Sequence, residues 1–260
     1  MEFVKTLFEK EVLTISLNRV EKKNALNTRT LNEFETVLDD IPMDRPPRAV
    51  VLRGEGRCFC AGADISELHA FDESGMREFH DLRERVYTKL EGLPCPTMAA
   101  VEGFALGTGL ELALSVDFRI ASESSFLGIP SSRLGVTESY LYLARLVRTV
   151  GLSRTRFLVF TAERLGAREA RDLGLVERVF PEAEFEAGCR SLVDILASND
   201  PSAMFLSKRV LAECDRDPFL ENVHDPAWPM LESLGGHAMK DRTRAFLNRK
   251  AAKSDGGGGD

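Results

Sequence analysis

The sequence predicts an α/β core followed by an all-helical C-terminal region. In the first part of the chain, short apolar runs typical of strands alternate with amphipathic helices, a pattern that favours helices layered on a sheet. After Pro181 the pattern predicts only helices, and the chain ends in a run of four glycines that favours disorder. We therefore expect a core over residues 1–195, a helical region over 196–253 and a disordered tail over 254–260.

The individual elements follow from apolar periodicity and from the residues that interrupt it. Apolar runs bounded by glycines, prolines or turn residues predict strands, and apolar residues that repeat on one face predict helices. Thr28 is the expected N-cap of the first helix, and Pro42 and Pro94 end the first and second helices. The strands are expected over residues 1–10, 12–17, 49–52, 97–101, 117–121 and 176–179. The helices are expected over residues 28–41, 74–93, 140–150, 153–161, 167–173, 182–197, 203–213 and 230–250.

Composition and charge limit the class of protein. The hydrophobic content of 43% and the charged content of 29% are those of a soluble globular protein. The net charge of −7 gives no broad basic surface, so we expect no nucleic acid partner. No apolar run reaches the roughly 18 residues of a membrane span and no signal peptide is apparent, so we expect a cytoplasmic protein with no membrane partner. The five cysteines and four histidines are scattered, so we expect neither a disulfide framework nor a metal site.

A glycine-bearing turn before a short apolar helix is the first candidate for chemistry. Gly107, Thr108 and Gly109 precede a helix that carries one carboxylate, Glu111. The first backbone N–H groups of a helix are unpaired and lie at the positive end of its dipole, so such a turn can hold an oxyanion. Glu111 can then handle protons beside that charge. The same pattern also fits a tightly packed turn with a surface glutamate, because lone glycine motifs are weak.

A second glycine-bearing segment favours the catalytic interpretation. A buried strand that begins near Arg48 enters glycines and is followed by Arg57-Cys-Phe-Cys-Ala-Gly-Ala-Asp-Ile65. Together the two segments resemble the enoyl-CoA hydratase/isomerase family, also called the crotonase superfamily. Its F-x-A-G-A-D-[IL] loop matches Phe59–Ile65, and its N-G-x-A-x-G-G-G-x-E-L-A stretch matches Glu102–Ala113. The resemblance covers residues 3–250 and includes Leu17-Asn-Arg19, Lys23-Asn-Ala-Leu-Asn27, Cys95-Pro96 and Gly174–Pro181.

The resemblance implies a fold, an assembly and a substrate class. The implied fold is a spiral of repeated strand-strand-helix units with a C-terminal helical oligomerisation region, and the implied assembly is a homotrimer or homohexamer. The implied substrate is an acyl-coenzyme A thioester, with no cofactor beyond the coenzyme A of the substrate. The family's two backbone donors to the thioester oxygen fall on the N–H groups of Ala63 and Thr108. Thr108 stands where the family usually has glycine, so the N–H donor is kept while the acyl pocket is narrowed.

The carboxylates leave the reaction open. In the family's hydratases two glutamates hold one water; Glu111 matches the first, and Ser131 stands at the second position. Because a serine cannot act as a general acid or base near neutral pH, Glu138 is the candidate for the missing proton transfer. Glu138 also suits the start of the following helix as a carboxylate stabilised by the dipole. We expect hydration of a 2-enoyl-CoA; the alternatives are isomerisation, decarboxylation or hydrolysis of an acyl-CoA with Glu138 as acid/base, or a scaffold with little catalysis.

The same resemblance implies the binding residues. The loop from Asn18 to Ala25 is implied to hold coenzyme A through Lys23 and Ala25, with Arg19 and Lys22 as further phosphate candidates. Asp64 either contacts the substrate or caps the helix that follows Ala63. In relatives a C-terminal residue of a neighbouring subunit closes this site, and the nearest matches are Phe246 and Arg249. The residues expected to border the acyl pocket are Ala61, Asp64, Ile65, Ser131 and Tyr140.

Overall fold

The computed structural model of the chain describes residues 1–216, 227–228, 232, 241–245 and 248. Its contacts form two compact units, Met1–Ala197 and Ser198–Asp260. The predicted tail over 254–260 lies outside the described residues, as do most of the predicted helix over 230–250 and both Phe246 and Arg249. None of the helices formed by the described residues has the length and apolar character needed to cross a membrane.

Strands and helices alternate through the first unit, which confirms the predicted α/β class. The strands are β1 (Val4–Glu9), β2 (Val12–Leu17), β3 (Ala49–Gly54), β4 (Thr97–Val101), β5 (Phe104–Leu106), β6 (Phe118–Ser122), β7 (Phe126–Gly128), β8 (Arg164–Gly166) and β9 (Arg178–Phe180). The helices are α1 (Thr28–Asp39), α2 (Ile65–Ala70), α3 (Glu73–Glu91), α4 (Thr108–Leu114), α5 (Tyr140–Val150), α6 (Leu152–Thr161), α7 (Ala167–Leu173), α8 (Phe185–Ser198) and α9 (Pro201–Arg216).

The main sheet brings three loop segments to one edge. Its strands lie in the order β1-β2-β3-β4-β6-β9, with β1 and β2 antiparallel and the other neighbours parallel. The carboxyl ends of parallel strands meet at the same edge of a sheet, so the segments that follow β2, β3 and β4 lie together. A smaller sheet of β5, β7 and β8 extends from the segment after β4. The glycine-bearing motifs of the sequence occupy this edge.

The two faces of the main sheet are buried under different helices. Along β3, Val50 and Leu52 join the larger apolar cluster, to which α1, α3, α4 and α5 contribute. Val51 faces the opposite side, where it packs in a smaller cluster with Met98 and with Phe185 of α8. This alternation is the period of two that a strand imposes on its side chains.

Two features differ from the sequence-based expectation. Asn27, rather than Thr28, is the N-cap of α1: its backbone is extended and its side chain accepts a hydrogen bond from the Thr30 N–H at 2.8 Å. Thr28 is the first helical residue. The strands β5, β7 and β8 were not predicted, because three residues are too few to show a period.

Candidate active site

The two glycine-bearing segments lie side by side at the edge of the sheet. The Cys60 N–H donates to the Phe104 carbonyl at 2.7 Å, and the Leu106 N–H donates to the Cys60 carbonyl at 3.1 Å. Gly109 permits this approach, since a Cβ at that position would lie 2.4 Å from the Cys60 carbonyl oxygen. The segment before α2 and the first turn of α4 are therefore held in one fixed arrangement.

Each of these segments presents an unpaired backbone donor. Ala63 forms a bridge with Leu26 in which the Gly62 carbonyl and the Asp64 N–H make the hydrogen bonds, at 2.8 and 2.7 Å, so the Ala63 N–H is not used. Thr108 is the first residue of α4, where a helix has no internal acceptor for its N–H groups. Among the described residues, neither N–H has a hydrogen-bond acceptor. Two such donors on adjacent segments can stabilise an anionic oxygen.

Two buried tyrosines fix the first turn of α4. The Tyr87 hydroxyl donates to the Thr108 carbonyl at 2.9 Å, and the Tyr142 hydroxyl donates to the Gly107 carbonyl at 2.8 Å. Burial raises the pKa of both phenols well above their usual value, so both remain neutral donors. Sequence analysis missed both residues; their only sequence signal is a position on the buried face of α3 or α5.

Glu111 is buried at 0% exposure, so the alternative of a surface glutamate is wrong. Its Oε1 accepts a hydrogen bond from Arg145 Nη1 at 3.0 Å, and its Oε2 lies 3.3 Å from Arg83 Nε. Burial raises the pKa of the Glu111 carboxyl to about 8; the two arginines oppose this shift, and the carboxyls of Glu84 and Glu138 add to it. Glu111 is thus a carboxyl that titrates close to neutral pH.

The two arginines belong to a buried network that sequence analysis did not predict. Arg145 also contacts Glu84 at 2.9 Å and Glu91 at 2.6 Å, and Arg83 contacts Glu84 at 3.2 Å. The network joins α3, α4 and α5, so it holds Glu111 in place from two sides. Its sequence signal is weak, because charged residues of an amphipathic helix are normally assigned to the solvent face.

Glu138 lies in the same site. It accepts a hydrogen bond from the Ser131 hydroxyl, which stands on the 3-10 turn over Pro130–Leu134. Burial raises the pKa of the Glu138 carboxyl, while Ser131 and Arg83 oppose the shift. The N-cap of α5 is Ser139, whose hydroxyl accepts from the Tyr142 N–H at 3.1 Å. The side chain of Glu138 is therefore directed to Ser131, while the neighbouring serine caps α5.

The structure places the predicted binding residues in different environments. Asp64 is the N-cap of α2, as one alternative predicted, and accepts from the Ser66 N–H at 3.1 Å. Bonds from Ser66 and Arg19 lower the pKa of Asp64 to about 2. Arg19 differs from the phosphate-binding prediction, because its guanidinium is buried and donates to Asp64 at 2.7 Å and to the Ala25 carbonyl at 2.9 Å. It ties the segment after β2 to the segment after β3.

Lys23 and Ile65 lie on the outside of these segments. Lys23 is exposed, with its ammonium 5.2 Å from the centroid of the Phe104 ring. Ile65, also exposed, follows the Asp64 cap. The Ala61 N–H donates to the Lys23 carbonyl at 3.0 Å, which joins the segment after β2 to the segment after β3. We call the outer border of these two segments the rim of the site.

Tyr140 is 89% exposed, and its place beside the acyl pocket stays a prediction. It is the first residue of α5, and a helix turns by more than half a circle over two residues, which directs Tyr142 inward instead.

Among the described residues, no group of three or more His, Cys, Asp or Glu side chains is arranged to hold a metal ion.

Comparison with known proteins identifies the family. The family model described as enoyl-CoA hydratase/isomerase matches residues 8–252. The chain is 39% identical to a short-chain-enoyl-CoA hydratase of Clostridium acetobutylicum, over 96% of this chain and 97% of that protein. It is 36% identical to the enoyl-CoA isomerase/hydratase fer4 of Mycosarcoma maydis, over 90% and 88% of the two chains. The crystal structure of an enoyl-CoA hydratase from Bacillus anthracis superposes with a TM-score of 0.84 at 32% identity, covering 96% of each chain. The chain belongs to the enoyl-CoA hydratase/isomerase family.

Proposed function

We propose that this enzyme adds water across the double bond of a 2-enoyl-CoA thioester. The observation that carries the proposal is the first turn of α4, where the unpaired Thr108 N–H and the buried carboxyl of Glu111 stand one turn apart. Two relatives, named a short-chain-enoyl-CoA hydratase in Clostridium acetobutylicum and a crotonyl-CoA hydratase in Syntrophomonas wolfei, support the same reaction.

In this proposal the N–H groups of Ala63 and Thr108 form an oxyanion hole. Both bind the thioester carbonyl oxygen, which becomes negatively charged when the enolate forms. The hydrogen bond from each donor strengthens as negative charge develops on the carbonyl oxygen. The loss of one such donor in acyl-transfer enzymes costs about 3 kcal/mol of transition-state stabilisation. The hydrogen bonds from Tyr87 and Tyr142 to the first turn of α4 keep the Thr108 donor in position.

Glu111 and Glu138 divide the proton transfers. The water oxygen bonds to C3 while one of its protons passes to ionised Glu111. The electron pair of the C2–C3 double bond moves towards the thioester, and the charge collects on the carbonyl oxygen. Neutral Glu138 then donates its proton to C2, which completes the addition of one water. Proton exchange with solvent restores the neutral form of Glu138 and the ionised form of Glu111.

The hydrogen bond between Ser131 and Glu138 supports this division. The family's second glutamate is replaced by Ser131, and that serine donates to the carboxyl of Glu138. A carboxyl is thereby supplied to the same place by another residue. Its raised pKa favours the neutral, proton-donating form.

The substrate is proposed to enter as coenzyme A thioester, with no further cofactor. Lys23 is the candidate for the phosphates because its ammonium is exposed on the rim, and Ala25 and Ala61 form the backbone beside it. Asp64 holds that rim through Arg19, while Ile65 borders it. We also propose, on the family resemblance, a cytoplasmic homotrimer or homohexamer with 196–253 as the oligomerisation region.

Isomerisation is the second candidate. Two carboxyls with raised pKa in one site can move a proton between C2 and C4 of an enoyl-CoA without adding water. The relative from Mycosarcoma maydis, named an isomerase/hydratase, is in line with this candidate.

Product analysis with two substrates tests the proposal. Crotonyl-CoA and 3-butenoyl-CoA are incubated separately with the protein. Hydration predicts 3-hydroxybutyryl-CoA from crotonyl-CoA, whereas isomerisation alone predicts crotonyl-CoA from 3-butenoyl-CoA and no hydroxyacyl product. Binding of coenzyme A with no product from either substrate supports a scaffold and contradicts both reactions.

A further inference from the structure

Three buried side-chain polar atoms have no hydrogen-bond partner among the residues that the structure describes. They are Arg83 Nε, Thr108 Oγ1 and Glu111 Oε2. Buried polar atoms in folded proteins are almost always paired with protein or with ordered water, so each unpaired one needs an explanation. That all three fall in the candidate active site is the starting point of this inference.

The three atoms belong to neighbouring side chains of α3 and α4. Arg83 Nε lies 3.3 Å from Glu111 Oε2. Thr108 and Glu111 are the first and fourth residues of α4, and side chains three apart on a helix stand next to each other on one face. Thr108 therefore lies on the face of α4 that carries Glu111, whose Oε2 adjoins Arg83 Nε.

The second oxygen of Glu111, one terminal nitrogen of Arg83 and the Thr108 carbonyl already have partners. Arg145 occupies the second oxygen of Glu111 at 3.0 Å. Arg83 Nη2 contacts Glu84 Oε1 at 3.2 Å and His80 Nδ1 at 3.0 Å. The Thr108 carbonyl accepts from Tyr87. Each residue thus has one buried side-chain atom without a hydrogen bond, and two of these atoms, Arg83 Nε and Glu111 Oε2, form an ion pair at 3.3 Å.

We propose that these three atoms bind the water molecule that attacks C3, and that the Thr108 hydroxyl positions this water together with Glu111 and Arg83. The inference rests on the proposed hydration. The water donates one proton in a hydrogen bond to Glu111 Oε2, accepts from Arg83 Nε and contacts the Thr108 hydroxyl, which satisfies all three atoms at once. Two to four polar partners are what a buried water requires.

This assignment gives Thr108 two roles from one position. Its backbone N–H faces the thioester oxygen in the proposed oxyanion hole, and its side-chain hydroxyl faces the water. A glycine at this position supplies only the first of these groups. The threonine therefore adds a second group that holds the water beside Glu111.

The test compares Thr108→Val with Thr108→Ser in two reactions. Valine keeps the shape and the backbone N–H but removes the hydroxyl, whereas serine keeps the hydroxyl. The first reaction is hydration of crotonyl-CoA, whose acyl chain carries no polar substituent of its own. The second is exchange of the C2 hydrogens of butyryl-CoA with deuterated water, which needs the enolate, the oxyanion hole and an acid/base but no attacking water.

We expect Thr108→Val to lower kcat for hydration by about tenfold more than it lowers C2 exchange, the loss of roughly one hydrogen bond in the transition state of hydration alone. Thr108→Ser should hydrate at close to the wild-type rate. Thr108→Ala provides a second hydroxyl-free variant if the valine protein does not fold. A crystal structure of the wild type should contain a water bound to Thr108 Oγ1 and Glu111 Oε2.

Three results overturn the inference. Wild-type hydration by hydroxyl-free variants shows that the hydroxyl does not hold the water, and it leaves the proposed hydration intact. Equal loss of hydration and exchange assigns Thr108 to the oxyanion hole or to folding instead. A wild-type protein that catalyses exchange but no hydration removes both the water site and the proposed hydration.

Discussion

The Ser131 hydroxyl donates a hydrogen bond to the carboxyl of Glu138. The two residues are joined across the turn that leads into α5, so the carboxyl of Glu138 is held at the position of the serine. The neighbouring Ser139 caps α5, which leaves Glu138 directed into the site. In the proposed mechanism this carboxyl is the second acid/base group.

Replacement of Glu138 by glutamine should remove the proton donor to C2. General acid catalysis contributes about 10²- to 10⁴-fold, so kcat for crotonyl-CoA hydration should fall within that range in Glu138→Gln, while KM changes little. Steady-state kinetics measure both values. Glu163→Gln, at an exposed position of the same unit, is the matched control and should behave as wild type. Full activity in Glu138→Gln would remove Glu138 from the mechanism.

The activity should depend on pH through Glu111. Its pKa is raised to about 8, and the base acts in its ionised form, so kcat/KM should increase as the pH rises through about 8. Glu138 acts as a neutral acid, so kcat/KM should fall again at the higher pH where Glu138 ionises, and this fall should be absent from the residual activity of Glu138→Gln. A pH–rate profile of both proteins tests the sign. A fall at high pH that persists in Glu138→Gln would contradict the role of Glu138 as the acid.

The hydrogen bond from Tyr142 to the Gly107 carbonyl should support both stability and catalysis. In Tyr142→Phe the buried carbonyl loses this donor, and we expect a loss of about 1–2 kcal/mol in the free energy of unfolding together with a lower kcat. Urea unfolding and crotonyl-CoA turnover give the two quantities. Tyr140→Phe is the control on the same helix, because Tyr140 is 89% exposed. Equal behaviour of the two variants would show that the Tyr142 hydroxyl does not fix the first turn of α4.

Arg145 should be essential to the buried charge network. It contacts Glu84, Glu91 and Glu111, so Arg145→Met leaves buried carboxylates without their cation, a change that typically destabilises a protein by about 3–5 kcal/mol. The pKa of Glu111 should also rise further, because Arg145 is one of the groups that lower it. Urea unfolding and the pH–rate profile measure these effects. Arg156→Met, at an exposed position of α6, should be close to neutral. A stable variant with an unchanged profile would contradict the role given to the network.

The backbone part of the candidate site was predictable, and its side-chain supports were not. Gly107, Gly109 and the Ala-Gly-Ala-Asp stretch carry a local signal, since turn glycines and a helix cap depend on neighbouring residues. The cap at Asp64 was recognised as one alternative for the same reason. Arg83 and Arg145 were missed because each pairs with Glu111 from a different helix, and one sequence does not show which helices meet.

The solvent exposure of individual side chains was also not predictable from the sequence. Tyr140 and Tyr142 are near neighbours of the same residue type, yet only the second is buried, because the rotation of α5 decides which of them faces the core. Arg19 is of a residue type that often binds phosphate. Its guanidinium is instead paired with Asp64, which comes from the segment after another strand. Both cases depend on packing between distant parts of the chain.

The most direct test of the proposed hydration is the turnover of crotonyl-CoA by the wild type and by Glu111→Gln, followed as loss of the enoyl-thioester absorbance. Removal of a general base predicts a fall in kcat of about 10²- to 10⁴-fold in a folded variant that still binds coenzyme A. The proposed mechanism predicts rapid hydration by the wild type and this loss in the variant. Absence of turnover by a folded wild type that binds coenzyme A, or full activity of Glu111→Gln, would contradict it.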